Sequence, residues 1–298
     1  MKLNNKGFAV STFMYMILVL AIILILATLA ILSSRKMILD RQKATALDNI
    51  KISQKEAGIG KPYIGYYADV DGDGNADGVI YADLAHKKEE TTWGTNNPQY
   101  SKYSYEAKTN LNEYKISQNN AEETRYGINK IITLKTNNNN PRFYVMALND
   151  FTSHEWYYWY YNVKNEGMAT WETDTSRNFG AGYANTGTII DIWNDGENGK
   201  YNAAQNNLDI WKYIQEEYQE GWYIPSLGEW VAFADYLEHK KDNPLTVSNY
   251  NTIYGLSTGY WSSSPASKYN AWVLNFNGKS ISSPSVDTGI KIRLGATF

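Results

Sequence analysis

The sequence of 298 residues contains no cysteine, and this absence excludes several kinds of chemistry at once. Disulfide frameworks, thiolate zinc sites, iron–sulfur clusters and cysteine nucleophiles all require a thiol. Histidine is scarce too, with three residues (His86, His154 and His239) that lie far apart in the sequence. A histidine-rich metal site or a histidine-dependent catalytic triad is therefore disfavoured.

Common catalytic and nucleotide-binding motifs are missing as well. The sequence has no phosphate-binding glycine-rich loop, no nucleophile elbow, no HExxH motif and no dinucleotide-binding fingerprint. Carboxylates are plentiful, but no pair stands out as the acid and base of a glycosidase would. We therefore predict that the protein is not an enzyme.

Charge is distributed unevenly along the chain. Residues 1–60 carry 8 basic and 3 acidic side chains, whereas the remainder is acidic and the net charge of the whole chain is -3. This balance disfavours nucleic acid as a partner, because affinity for nucleic acid comes mainly from Lys and Arg that neutralise phosphates. A basic segment beside an apolar one is instead typical of a region next to a membrane.

One long apolar run lies near the N-terminus. Residues 8–32 contain no charged side chain, and a helix of that length would exceed the ~30 Å hydrocarbon core of a bilayer. The pattern predicts a single membrane-spanning helix, with a buried core helix as the alternative. A cleaved secretory signal is disfavoured, because its apolar region is shorter and ends at a small-residue cleavage site.

The flanks of this run resemble the prepilin signal of type IV pilins and pseudopilins. A short leader that contains Lys2 and Lys6 ends at Gly7, and the apolar run begins abruptly at Phe8. The resemblance implies cleavage after Gly7 by a prepilin peptidase, methylation of the new terminus at Phe8, and contacts with other pilins.

The same resemblance divides the chain into three parts. They are a leader (1–7), a transmembrane and stalk helix (8–57), and a body (61–298) on the extracellular side of the cell membrane. The family usually has Glu at the fifth mature position, where this chain has Thr12. Assembly into a standard pilus is therefore in question, and a minor pilin or a pilin-like anchor fits the sequence.

An aspartate-rich loop lies in the first hairpin of the body, predicted over residues 63–84. Between strands predicted at 63–68 and 79–84, the sequence from residue 69 reads DVDGDGNADG. Counted from Asp69, carboxylates occupy positions 1, 3, 5 and 9, and glycine occupies position 6. In a tight loop this spacing directs the carboxylates toward a hard cation. The expected ion is Ca²⁺, and its predicted ligands are Asp69, Asp71, Asp73, Asn75 through its carbonyl, and Asp77.

The loop is not an EF-hand, because position 12 is Ile80 rather than Glu. It resembles the calcium loops of integrin-type propeller blades and of thrombospondin type 3 repeats. The alternative is an ordinary Asp- and Gly-rich hairpin turn with solvated carboxylates.

The C-terminal half predicts two helices. Apolar residues from Leu208 to Tyr218 recur at three- and four-residue spacing and predict a helix that ends near Gly221. Ser226 and Glu229 form a capping box, which predicts the start of a second helix. Strands are predicted at 142–148, 259–264, 271–276 and 290–294.

Four motifs in this half occur in the order typical of the Fibrobacter major paralogous domain family. They are GWYIPSLGEW (221–230), YWSSS (260–264), AWVLNF (271–276) and IRL (292–294). The family is similar to a branch of the C-type lectin-like fold, and the resemblance is best over residues 221–298.

The same fold occurs in variable proteins of diversity-generating retroelements, which display a ligand face near the C-terminus. The Ser, Tyr and Asn bias of this region is typical of such a face, and an ordinary polar loop is the alternative. The predicted ligand-binding residues are Trp261, Ser262, Ser264, Tyr269, Asn270, Trp272, Asn275 and Asn277.

The predicted fold class is α+β, with a long N-terminal transmembrane helix followed by a C-type lectin-like domain that carries the calcium-loop hairpin. The predicted function is that of a membrane-anchored, pilin-like cell-surface protein that binds an extracellular carbohydrate or protein. The alternative is a minor pilin or pseudopilin with a structural role in a filament or secretion system.

Overall fold

The structure is a computed structural model, and it divides the chain into two compact units, residues 1–50 and residues 51–298. In the first unit it describes helix α1 (14–23), whose side chains are exposed. Altogether it describes residues 14–23, 51–52, 63–109, 111, 114–118, 130–134, 140–157, 174–194, 208–239 and 255–298.

The prediction of a long transmembrane helix is wrong. None of the helices that the structure describes is both long and apolar enough to cross a membrane. The prediction of a single-pass cell-membrane protein with an extracellular body is wrong for the same reason. Gly7, Phe8, Thr12 and most of residues 24–57 lie outside the described residues.

The second unit contains a larger sheet of eight strands. The strands are β1 (Lys51–Ile52), β2 (Tyr67–Asp69), β3 (Gly78–Asp83), β6 (Tyr114–Gln118), β7 (Lys130–Leu134), β8 (Phe143–Ala147), β10 (Trp222–Tyr223) and β15 (Gly295–Thr297). Their order across the sheet is β1-β6-β7-β2-β3-β8-β15-β10. Strands β2 and β3 pair antiparallel, as the sequence predicts for the first hairpin.

A smaller sheet and a separate hairpin complete the β-structure of the described residues. The smaller sheet consists of β9 (Thr152–Glu155), β11 (Gly259–Ser267), β12 (Asn270–Asn275), β13 (Ser280–Ser282) and β14 (Gly289–Ile292). Its order is β13-β12-β11-β14-β9, and the hairpin consists of β4 (Lys88–Thr92) and β5 (Lys102–Tyr105).

Three short helices pack among these sheets: α2 (Gly182–Asn194), α3 (Ile210–Gln219) and α4 (Leu227–His239). The predictions of α3 and α4 are confirmed. Helix α2 is not predicted by the sequence, because its Gly, Asn, Thr and Ile residues have low helix propensity and its helical conformation depends on packing.

The described residues are thus mainly β-sheet with four short helices, and the predicted fold class is wrong. The error arises partly in residues 85–140, a polar stretch in which no strand is predicted but which contains strands β4 to β7. Strand β4 has the sequence KEETT and is largely exposed, so it lacks the apolar alternation by which a half-buried strand is recognised.

Helix α4 lies at the centre of the largest hydrophobic cluster. Its residues Trp230 and Phe233 are fully buried and contact aromatic rings of both sheets, among them Tyr81 and Tyr260. The Trp230 ring stacks on Tyr260 with 4.8 Å between centroids. Burial of several aromatic side chains around one helix makes α4 a main contributor to the stability of this unit.

The N-terminus of α4 is capped as predicted, and the cap also serves helix α2. The backbone N–H of Ser226 donates to Glu229 Oε2 (2.6 Å), and the N–H of Glu229 donates to Ser226 Oγ (3.2 Å). The N–H of Gly182, the first residue of α2, donates to Glu229 Oε1 (3.4 Å). Burial raises the pKa of the Glu229 carboxyl to about 7. A single buried side chain therefore accepts hydrogen bonds at the starts of two helices.

We expect Glu229→Ala to lower the free energy of unfolding by about 2 kcal/mol or more, because two buried N–H groups lose their acceptor. Glu238→Ala, at the other end of the same helix, is the control. Glu238 pairs with the half-exposed Lys279, and its loss should cost less than about 1 kcal/mol. Urea denaturation of both variants measures the difference, and equal losses would contradict the role given to Glu229.

Candidate functional site

The β2–β3 hairpin brings three aspartates of the predicted calcium loop together. Asp69 ends β2, and Asp77 immediately precedes β3. Carboxylate oxygens of Asp69, Asp71 and Asp77 lie within 4.8 Å of one another. Among the described residues, no Lys or Arg forms an ion pair with these three carboxylates. The oxygens of three clustered carboxylates can serve as ligands of a hard cation.

Asp69 also organises the backbone of the loop. Its Oδ1 accepts the N–H of Gly72 (2.8 Å), and its Oδ2 accepts the N–H of Gly74 (3.0 Å) and the hydroxyl of Thr133 (3.0 Å). Gly72 and Gly74 have φ angles of 79° and 91°, a left-handed conformation that favours glycine. The loop is therefore closed around the Asp69 carboxylate.

The carboxylate of the fourth predicted aspartate ligand, Asp73, is not part of this cluster, although its backbone N–H donates to Asp71 Oδ1 (2.9 Å). Asp73 accepts the backbone N–H of Asn75 at Oδ1 (2.7 Å) and the Asn75 side-chain amide at Oδ2 (2.6 Å). The structure thus brings together the carboxylates of three of the four predicted aspartate ligands.

The electrostatics of the cluster are unfavourable without a cation. Burial, with additional repulsion from Asp71 and Asp69, raises the pKa of the Asp77 carboxyl to about 6. Burial raises the pKa of Asp69 as well. A bound divalent cation would offset both the desolvation and the repulsion of the charged forms.

A second feature is an open pocket of about 490 Å³, within the size range of small-ligand sites. Its walls come from the β4–β5 loop, from the segment before helix α2, from the end of β11 and from β12. The lining residues are Tyr100, Thr175, Ser176, Arg177, Asn178, Ser264, Pro265, Ala266 and Trp272.

Two aromatic rings and one guanidinium form the most distinctive wall of this pocket. The rings of Tyr100 and Trp272 have centroids 4.6 Å apart and an interplanar angle of 41°. The guanidinium carbon of Arg177 lies 4.6 Å from the Tyr100 ring centroid, a cation–π contact. Arg177 is exposed, whereas Trp272 is only 8% exposed and presents part of its ring.

Residues 174–180, which we call the Arg177 segment, are held by hydrogen bonds between their backbone and surrounding elements. Asn185 of helix α2 bonds both the N–H (2.8 Å) and the carbonyl (2.5 Å) of Ser176. Ser226 Oγ donates to the Asn178 carbonyl (2.8 Å), and the N–H of Gly228 donates to the Arg177 carbonyl (2.8 Å). These bonds occupy the backbone of the segment and leave the side chains of Arg177 and Asn178 exposed.

Gly228 is required for this arrangement. A Cβ atom there would collide with the backbone N of Phe179 and would lie 2.8 Å from the carbonyl carbon of Asn178. The backbone of the Arg177 segment therefore crosses the first turn of α4 at a distance that only glycine permits.

Tyr100 is positioned by the β4–β5 hairpin. Asp235 of helix α4 accepts hydrogen bonds from Lys88 Nζ (2.9 Å) and the Tyr103 hydroxyl (2.6 Å), which attaches both strands to the helix. In the connecting loop, the Asn96 side chain bonds both the N–H (2.9 Å) and the carbonyl (3.0 Å) of Ile281. The loop is thereby fixed against strand β13.

Only two of the eight predicted ligand-binding residues line the pocket, namely Ser264 and Trp272. Trp261 and Ser262 are fully buried. The Trp261 indole donates to the His154 carbonyl (3.1 Å), and Ser262 Oγ donates to the Trp272 carbonyl (2.8 Å). In this structure both side chains form hydrogen bonds with backbone carbonyls inside the protein.

The other four predicted residues lie at the two ends of strand β12. Tyr269 lies in the turn before it, Asn270 and Asn275 are its first and last residues, and Asn277 lies in the turn that follows. Asn275 donates from its side-chain amide to Ser282 Oγ (2.9 Å). They do not converge on the pocket, whose lining includes none of them.

Sequence reasoning missed Tyr100, Arg177 and Asn178. They lie in stretches without apolar periodicity, and only folding brings them beside Trp272. The sequence contains one signal of this arrangement. Gly228, in the LGEW motif, lies in the first turn of helix α4, although glycine has low helix propensity. A close backbone approach at that glycine could have been inferred, although not the segment that makes it.

No known sequence family and no curated protein matches the chain. Among solved structures, the chain is similar to a fimbrial protein from Bacteroides ovatus ATCC 8483, with 16% sequence identity and a TM-score of 0.39. The similarity covers 79% of this chain and 48% of that protein, so the chain spans about half of its length. A TM-score of this size does not establish a common fold.

We expect Gly228→Ala to displace the Arg177 segment and to lower the free energy of unfolding by about 1–3 kcal/mol, because the methyl group overlaps the segment's backbone. Hydrogen exchange of residues 174–180 should become faster. Gly289→Ala is the control, since its Cβ would meet only Glu155 Oε1 at 4.0 Å. Unchanged exchange in Gly228→Ala would contradict the fastening described above.

Proposed function

We propose that the chain is a non-enzymatic ligand-binding protein. Its pocket beside Tyr100, Arg177 and Trp272 would bind a carbohydrate or a protein segment, and its Asp69 loop would bind Ca²⁺. The observation that carries this proposal is the fastened backbone of the Arg177 segment, combined with exposed side chains. A pocket that is ordered before the ligand arrives loses little entropy on binding.

The chemistry of the pocket supports binding rather than catalysis. The described residues of its lining include Thr175, Ser176 and Ser264, which carry hydroxyls, but no His, Asp or Glu that could act on them as a general base. Ser264 Oγ is engaged as well, since it donates to the Ser176 carbonyl (3.2 Å) and accepts the N–H of Leu227 (3.1 Å).

The Asp69 loop would act as a structural calcium site. It closes the β2–β3 hairpin in the middle of the larger sheet, and the Asp77 carbonyl accepts the N–H of Leu148 (3.0 Å), just beyond β8. A cation bound there would stabilise the junction of three neighbouring strands.

We expect calorimetric titration of the full chain with Ca²⁺ to show binding that Asp71→Asn weakens at least about tenfold, because one charged ligand is lost. Glu106→Gln removes an equally negative but exposed side chain and should leave affinity unchanged. Asp73→Asn should have a smaller effect than Asp71→Asn. Equal heats for wild type and Asp71→Asn would contradict calcium binding by the loop.

The calcium effect should depend on pH. Because the pKa of Asp77 is raised from 3.8 to about 6, the folded protein without metal binds the extra proton between these values. The contribution of Asp77 to stability then falls as pH rises through that window. Ca²⁺ competes with this proton, so it should raise the melting temperature more at about pH 7.5 than at about pH 5. Asp77→Asn should reduce the difference, and a pH-independent effect in wild type would contradict the assignment.

We expect the labelled full chain to bind members of a glycan and peptide array, and Trp272→Ala to bind them at least about tenfold more weakly, because an aromatic wall is removed. Tyr213→Ala, an exposed aromatic outside the pocket lining, is the control. Binding that Trp272→Ala leaves intact would contradict the pocket as the binding site. An absence of any bound ligand would favour the structural alternative, a minor pilin or pseudopilin subunit.

A further inference from the structure

We infer that the pocket selects a saccharide that carries a carboxylate, with Arg177 as the residue that recognises the acidic group. This inference rests on the proposed function, because it names the class of ligand for the same pocket. Three features of the pocket support it: the state of Arg177, the charge of the lining, and the pairing of the strands behind it.

Arg177 is available to an anionic ligand. Its guanidinium carbon lies 4.6 Å from the centroid of the Tyr100 ring, a cation–π contact that restrains the planar group, and its N–H groups donate to none of the described residues. Within the described part of the chain, no carboxylate forms an ion pair with it. An ordered arginine with unused N–H donors suits bidentate binding of a carboxylate.

The charge of the lining favours the same conclusion. Arg177 is the one charged residue among the nine described residues that line the pocket. Asp174 is close in sequence but is not part of the lining. An acidic ligand complements the Arg177 charge, whereas a cationic ligand would be repelled by it.

A saccharide fits the pocket better than a peptide. The hydroxyl and amide groups of Thr175, Ser176 and Asn178 match the many hydroxyls of a sugar, and Tyr100 and Trp272 provide aromatic surface. Extended peptides commonly add to a free sheet edge. Strand β12 lies between β11 and β13. Strand β11 pairs with β14 only at Tyr260, but beyond that point the N–H of Ser263 donates to the Pro225 carbonyl (2.9 Å), the N–H of Ser264 donates to Ser262 Oγ (3.3 Å), and Pro265 has no N–H. The pocket end of β11 therefore offers few N–H donors to an added strand.

Binding of matched saccharide pairs to the full chain tests this inference. The pairs are sialyllactose with lactose, and trigalacturonic acid with galactotriose, so that each acidic sugar has a neutral partner. In at least one pair, we expect the acidic member to bind at least about tenfold more tightly, the fold-change of one charged hydrogen bond. Arg177→Gln should remove that preference, and Arg177→Lys should restore part of it, because Lys keeps the charge but lacks the planar fork.

Lys268→Gln is the matched control, since it removes an exposed cation that lies outside the pocket lining. Unchanged melting temperatures of the variants establish that they fold. Equal affinity for both members of each pair, unaffected by Arg177→Gln, would overturn the inference and leave the proposed function standing. Binding of acidic peptides but of no saccharide would overturn it in the same way. If neither saccharides nor peptides bind, the proposed function fails together with the inference.

Discussion

The buried carboxylate of Glu229 is the interaction on which the pocket side of the structure depends. It accepts the N–H groups of Ser226 and Gly182, and so joins the starts of helices α4 and α2. Gly182 permits this approach, because a Cβ atom there would collide with Glu229 Oε2. A carboxylate buried at such a junction is costly to desolvate, and the convergent N–H donors offset that cost.

The position of helix α4 then fixes both walls of the pocket. Its first turn, through Ser226 and Gly228, bonds the backbone of the Arg177 segment. Two turns later, Asp235 bonds both strands of the hairpin that carries Tyr100. One rigid element therefore holds the two segments that recognise a ligand, which favours a pocket that keeps its shape when empty.

Local signals predicted the elements that depend on local interactions. The capping box of Ser226 and Glu229, the periodicity of helix α3 and the aspartate-rich hairpin could all be read from the sequence, because each is set by residues close together in the chain. The pocket could not be predicted, since Tyr100 and Arg177 meet only through tertiary packing. Serines of the YWSSS motif read as a polar face, yet Ser262 and Ser264 bond to backbone inside the fold. The apolar N-terminal run predicted a membrane-spanning helix by its length and composition, whereas none of the helices in the described residues is long and apolar enough to cross a membrane.

The most direct test of this account is a crystal structure of the full chain grown with Ca²⁺ and a saccharide or peptide that binds it on an array. The account predicts ligand density in the pocket, in contact with Arg177 and Trp272, with the backbone of residues 175–178 unmoved. Ligand density on the Tyr269–Asn277 face, with the pocket empty, would contradict it.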